Sequence, residues 1–229
     1  MYIPEAFREE DRDAIDAMIH SCPLATLVTH STQGLFATPL PMIFAAGEGD
    51  HGVLYGHIAR ANPQWKEPSA EDALVLFQGP NAYITPAWYA TKAETGKVVP
   101  TWNYLAVHAY GPVEFFHDPA TLLDVVTKLT RHHEEARHHE AARPQSISQP
   151  GPEPGPQLPN QPWSVSDAPA DYIQSQLRSI VGIRIPIRHL EAKKKLSQNQ
   201  PAANRAGVKQ GLSQSPSEQD RNLAKIIPS

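Results

Sequence analysis

Cys22 is the only cysteine in 229 residues, so no internal disulfide is possible. The simplest compartment for such a chain is a reducing cytoplasm. No partner pattern surrounds Cys22, which reads as a buried structural thiol rather than a nucleophile. Long apolar runs are lacking too. The longest near the N-terminus covers residues 24–28, and Glu5, Glu9, Glu10, Asp11 and Asp13 precede it. That pattern is neither a signal peptide nor a membrane span. A strong charge of either sign is missing as well: 20 Lys and Arg against 24 Asp and Glu leave a net charge of −4. No internal repeat, helix-turn-helix, zinc finger or basic recognition helix is visible.

What is present suffices for one core. A composition that is 40% hydrophobic over 229 residues matches the size of a single domain. In "EEDRDAIDAMIHSC", Ile15, Met18 and Ile19 fall three and four apart behind Asp11 and Asp13, which predicts a short amphipathic helix stopped by Pro23. Short runs rich in β-branched and aromatic residues follow: "LATLVT", "GLFATPLPMIF", "GVLYGHI", "ALVLFQG" and "AYITPAWY". With Gly, Asn, Asp and Pro between them, they predict antiparallel strands curled into a barrel. "PTWNYLAVHAYGPVEFF" reads as one long strand with a bulge or bend at Gly111 and Pro112. Next, Asp118 and Pro119 open a helix with Leu122, Val125, Val126 and Leu129 in a stripe.

Seven of the nineteen residues 144–162 are proline, which predicts a flexible or polyproline-like insert at about 143–163. Order resumes at "SDAPADYIQSQLRSIVGIRIPI", a second Asp-then-Pro helix with Ile173, Leu177 and Ile180 on one face, leading through Gly182 to a strand. Residues 191–229 carry seven Lys or Arg against three Asp or Glu, a local +4 that leaves −8 elsewhere. The expectation is a basic polar C-terminal tail at about 200–229, able to approach DNA or simply to be solvated.

Three stretches could carry chemistry. In "YGHIARANPQW", His57, Arg60 and Asn62 follow a strand end, and guanidinium, amide and backbone donors on one turn suit a phosphate. Equally, Arg60 could cap a carbonyl and Asn62 make a turn before Pro63. In "GKVVPTWNY", Trp102 and Tyr104 share one face of a strand and Thr101 and Asn103 the other. Such a strand could wall a planar cofactor or pack its Trp into the core. In "KKKLSQN", Lys195 and Ser197 could pair with a phosphate, with Gln198 and Asn199 beside them, and this chemistry suggests a segment folded back onto the barrel. A fourth string, "RHHEEARHHE", sets Glu134 with His138 and Glu135 with His139 at i, i+4. It reads as a solvated helix end rather than a metal site.

Taken in order, "MYIPEAF", "LATLVT", "GHIARANPQW", "FQGPNAYITPAWY", "GKVVPTWNY", "DAPADYI", "IVGIRIPI" and "KLSQNQPAANRAGV" resemble the PaiB family of FMN-binding negative transcriptional regulators. The resemblance covers nearly the whole chain apart from the Pro-rich insert and about the last fifteen residues. It implies a mainly β, α+β fold, the FMN-binding split β-barrel related to pyridoxamine-phosphate oxidases and flavin reductases. It also implies a homodimer with FMN near the subunit interface. The phosphate corner would fall on His57, Arg60 and Asn62, and the strand along the flavin on Ala37, Thr38, Pro39 and Leu40. Trp102, Asn103, Lys195, Ser197 and Gln198 match blocks typical of the family. Function stays open among a flavin-dependent repressor, an FMN-dependent oxidoreductase or flavin reductase, and a haem-binding split barrel.

Overall fold

The structure is a computed structural model, and it describes residues 1–67, 71–141 and 161–228. Within them lie nine strands: β1 (Arg8–Glu9), β2 (Leu24–Ser31), β3 (Gly34–Ala45), β4 (Val53–Ala59), β5 (Ala73–Ile84), β6 (Thr101–Gly111), β7 (Glu114–Phe116), β8 (Ile180–Pro186) and β9 (His189–Lys195). Their order across the sheet is β1-β9-β6-β5-β2-β3-β4-β8-β7, and every pairing is antiparallel. Six helices flank them: α1 (Arg12–His20), α2 (Thr91–Thr95), α3 (Pro119–Ala141), α4 (Ala170–Arg178), α5 (Ala202–Ser213) and α6 (Glu218–Ile226).

Strand alternation builds the core. Leu27, Leu54, Val75, Phe77, Val107, Ile183 and Ile185 point inward and are buried, and α1 adds Ile15, Met18 and Ile19 to the same cluster. Each such side chain contributes about 1.5–3 kcal/mol on burial. Strand β3 turns the corner of the barrel. Its residues 34–41 pair with β2, and only residues 42–45 pair with β4. Pro39 and Pro41 occupy the stretch that β4 leaves unpaired, where a residue without an N–H costs least. Helix α3 packs across β3, β4 and β8 and buries Leu122, Val125 and Leu129.

Four expectations are corrected. The long strand of residues 100–116 is two strands, because Gly111 packs its Cα against the Pro186 carbonyl and the chain leaves β5 and β9 there to pair with β8 instead. "ALVLFQG" and the "AYI" of "AYITPAWY" are one strand, β5, with its register shifted between Gln78 and Asn81, while Pro86–Trp88 forms a 3-10 turn capped by Thr85. Ile180 belongs to β8, opposite Ala59, and not to the α4 face.

The polar segment after residue 200 is not a tail. It forms α5 and α6, which bury Val208, Leu212, Leu223 and Ala224, with Ile227 buried just past the end of α6. Its few apolar residues are spaced for docking, and Gly207 and Gly211 let α5 approach Trp88 so closely that an added Cβ would lie 2.0 Å and 2.2 Å from it. The lysine run "KKK" is the end of β9, as folding back onto the barrel requires. Of the Pro-rich insert, residues 143–160 lie outside the described residues.

Candidate functional site

The pairing of β4 with β8 ends at Ala59 opposite Ile180, and the chain turns back toward β3. Asn62 caps a 3-10 turn, Pro63–Lys66, its Oδ1 accepting from Gln64 N at 2.9 Å. Its Nδ2 donates to Thr38 Oγ1 at 3.0 Å, which brings the turn onto the strand expected beside a flavin. Gln64, 3% exposed, donates from Nε2 to Thr29 Oγ1 at 3.0 Å and to Phe36 O at 3.4 Å. Pro39 is exposed and Leu40 is buried in the core, so they present opposite faces of β3.

Arg60 does what its capping alternative describes. Nε donates to Arg178 O at 2.6 Å and Nη2 to Ile180 O at 2.9 Å, tying down the C-terminal end of α4. Nη1 lies 3.4 Å from His117 Nδ1. A guanidinium has five N–H groups, so donors remain for an anion beside this cap. Two further groups join the corner: the Lys66 ammonium sits over the Trp65 ring, and the His117 ring meets the same indole edge-on at 5.2 Å. Trp65 is fixed in turn by donating Nε1–H to Arg60 O at 2.9 Å. No sequence signal pointed to His117, 57 residues from Arg60, because only the packing of the α3 entry beside β4 brings them together.

His57 is placed differently. Leu54 and Ile58 point into the main core, so by alternation His57 faces the other side of β4, where α3 packs. Its Nδ1 is buried without a hydrogen-bond partner, and burial holds its pKa below the ordinary value of 6.5.

The remaining expected residues form a second cluster. Asn103, fully buried, contacts Ser197 Oγ through both amide atoms, at 2.9 and 3.2 Å. Ser197 has φ +64, the left-handed region that costs an L-residue energy unless its surroundings hold it there. Gln198 accepts from Leu196 N at 2.6 Å and donates to Lys194 O, closing the turn. Lys195 donates to Trp102 O at 2.8 Å and to Thr101 Oγ1, and burial draws its pKa downward. Trp102 is not core: it is 52% exposed and meets Tyr83 edge-on at 6.2 Å. Beside them opens a cleft of about 650 Å³ lined by Tyr83, Trp88, Trp102, Gln214 and Gln219.

The two clusters do not meet along the sheet of one chain. Thr38 is level with Leu27, Val75 and Ala109 on successive strands, so β6 lies three strand spacings from β3, about 14 Å. Asn103 lies a further six residues along β6 from Ala109, about 20 Å at the usual rise. Among the described residues no group of three or more His, Cys, Asp or Glu could hold a metal ion. Glu134 instead accepts from Trp163 N at 3.2 Å. No helix among the described residues is long and apolar enough to cross a membrane.

Residues 1–189 match the family described as "Putative FMN-binding domain". The chain is 30% identical over 231 residues to the Protease synthase and sporulation protein PAI 2 of Bacillus subtilis, covering 99% of this chain and 96% of that one. It is also 37% identical over 201 residues to an uncharacterized protein of Aspergillus fumigatus, across 77% of this chain and 72% of the relative. Among solved structures it is similar to the flavocytochrome Anf3 of Azotobacter vinelandii, with a TM-score of 0.52 and 15% identity over 82% of this chain and 69% of that one. A FAD and heme binding protein of Mycobacterium smegmatis matches with a TM-score of 0.50 and 13% identity, over 82% and 73%. At those identities the likeness is one of fold, the split barrel.

Proposed function

The chain belongs to the PaiB family of FMN-binding split barrels, and on that premise we propose that it holds FMN with the phosphate at the corner of Thr38, Arg60 and Asn62. Residues 37–40 of β3 would line its isoalloxazine. The observation that carries this reading is the Asn62–Thr38 hydrogen bond, which sets a turn bearing Arg60 and Lys66 against that strand. Cations and backbone donors on one turn fit a dianionic phosphate. Bound FMN supplies reversible one- and two-electron chemistry through its ring, and the protein supplies binding and orientation.

A homodimer belongs to the same reading. The outward positions of β2 and β3 include Leu24, 65% exposed, and Leu35, 77% exposed, with Ala37, Pro39 and Pro41 exposed beside them. Such an apolar strip suits a second copy. The separation of the two clusters within one chain supports the same arrangement, with the exposed Trp102, beside Lys195 and Gln198, facing a flavin held by the corner of the other copy while the buried Asn103 and Ser197 hold the turn behind them. The biological role that accords with the family is a flavin-dependent sensor in negative transcriptional regulation, inside the cytoplasm. DNA would meet the dimer surface, since the basic C-terminal residues are folded into β9, α5 and α6.

The test is an absorbance titration with FMN, followed by NADH and NADPH without oxygen. Flavin that binds and stays oxidised supports the sensor. Bleaching by a nicotinamide would move the reading to an oxidoreductase, and no binding would overturn the site.

A further inference from the structure

Gln64 is a neutral side chain buried to 3% exposure against β2 and β3, and one of its two polar atoms has no partner. The Phe36 carbonyl can only accept, so the amide atom facing it at 3.4 Å is the NH₂ group. That same group donates to Thr29 Oγ1 at 3.0 Å. The amide oxygen, Oε1, is therefore the buried atom left without a partner. An unsatisfied acceptor of this kind costs stability, and folded proteins hold few. A glutamine serving only to fill space there would be bettered by an apolar residue of the same length.

The connections of Gln64 show what it holds. Its backbone N–H fixes the Asn62 amide at 2.9 Å, and that amide holds Thr38 at 3.0 Å. Its side chain grips Thr29 on β2 and the Phe36 carbonyl on β3, two residues before Thr38. One residue thus fixes both sides of the corner, the turn and the strand. None of the charged groups there, Arg60, Lys66 or His117, is touched by it in the hydrogen bonds just described. The geometry points to Gln64 as the positioning residue of the corner, setting its width for a phosphate through Asn62 and Thr38. This inference rests on the FMN reading above and deepens it.

Its consequence is selectivity. A corner set by Gln64 acts on the phosphate through Asn62 and Thr38 and reaches the strand beside the ring only at Phe36, so its loss weakens FMN more than riboflavin, which lacks the phosphate. The test is flavin fluorescence titration of the full chain and of Gln64→Met, with thermal unfolding of each. Gln64→Met is expected to weaken FMN binding about tenfold and to change riboflavin binding less than twofold. Should that variant fail to fold, Thr29→Val removes the side-chain anchor while keeping Gln64 and its shape, and is expected to show the same selective loss to a smaller degree. Equal weakening of both flavins, or of neither, would overturn the inference while leaving the FMN reading intact. A wild-type protein that binds neither flavin overturns both.

Discussion

Asn103 and Ser197, 94 residues apart in the chain, meet through three side-chain atoms in a fully buried contact at 2.9 and 3.2 Å. The contact holds Ser197 at φ +64 and so fixes the turn that follows β9. Ser197→Ala keeps the strained backbone and strands the Asn103 amide, at a cost of about 1–3 kcal/mol. Ser197→Gly loses the same contact but relaxes the backbone, and its cost is smaller. Urea unfolding of the two variants checks the order.

Arg60 has two duties, and its removal has two effects. Arg60→Ala frees the Arg178 and Ile180 carbonyls and takes a cation from the proposed phosphate corner. FMN affinity is expected to fall by about 1.5–3 kcal/mol, the scale of a charge-assisted contact. Thermal stability drops as well, because the end of α4 is released. A variant with full FMN affinity and lowered melting temperature would confine Arg60 to capping.

Gly207 touches backbone where no Cβ fits. The nearest atom to an added Cβ is the Trp88 carbonyl oxygen at 2.0 Å, and backbone yields less readily than a flexible side chain. Gly207→Ala therefore pushes α5 away, with a destabilisation of about 1–3 kcal/mol. Tryptophan emission at equilibrium, shifted by fuller exposure of Trp88, together with unfolding curves, reads the change.

Acid acts on His57. Burial lowers its folded pKa below 6.5, so the unfolded chain binds the proton first as pH falls. The stabilisation from a neutral His57 is present above about pH 6.5 and declines as pH falls toward the lowered folded value. His108 and His133 shift in the same direction, each chiefly by burial, and deepen the decline. Unfolding free energies at pH 7.5 and 5.5 are expected to differ less in His57→Leu than in the unaltered chain. An unchanged difference would count against a neutral, buried His57.

Self-association and flavin binding are expected to fail together. Leu35→Arg puts a charge on the exposed strip of β3, outside residues 37–40 and without entering the core. Sedimentation should show a shift toward monomer, and FMN affinity should fall with it if the second cluster comes from the other copy. Monomers with unaltered affinity would place the whole site within one chain.

Legibility from sequence followed the range of the forces involved. Alternation and turn residues act over a few positions, and so the strands of residues 24–58, the α3 stripe and the Asn62-Pro63 turn could be read directly. The eight ordered family blocks carried the split barrel and FMN. Helices α5 and α6 escaped notice because their buried apolar residues are just Val208, Leu212, Leu223 and Ala224, too few to mark a stripe against so many polar neighbours. Strand β7 escaped because its partner β8 lies some seventy residues later, and nothing local says that the chain changes neighbours at Gly111.

The same division runs through the site. The local sequence determined that Asn62 would begin a turn and that Arg60 would stand at a strand end. Tertiary structure alone decided that Asn62 faces Thr38, that Arg60 caps α4, that His57 lies under α3, and that Asn103 meets Ser197. Side chains from distant segments are brought together by burial of a shared core, and that burial depends on the packing of the whole chain rather than on any one stretch of it.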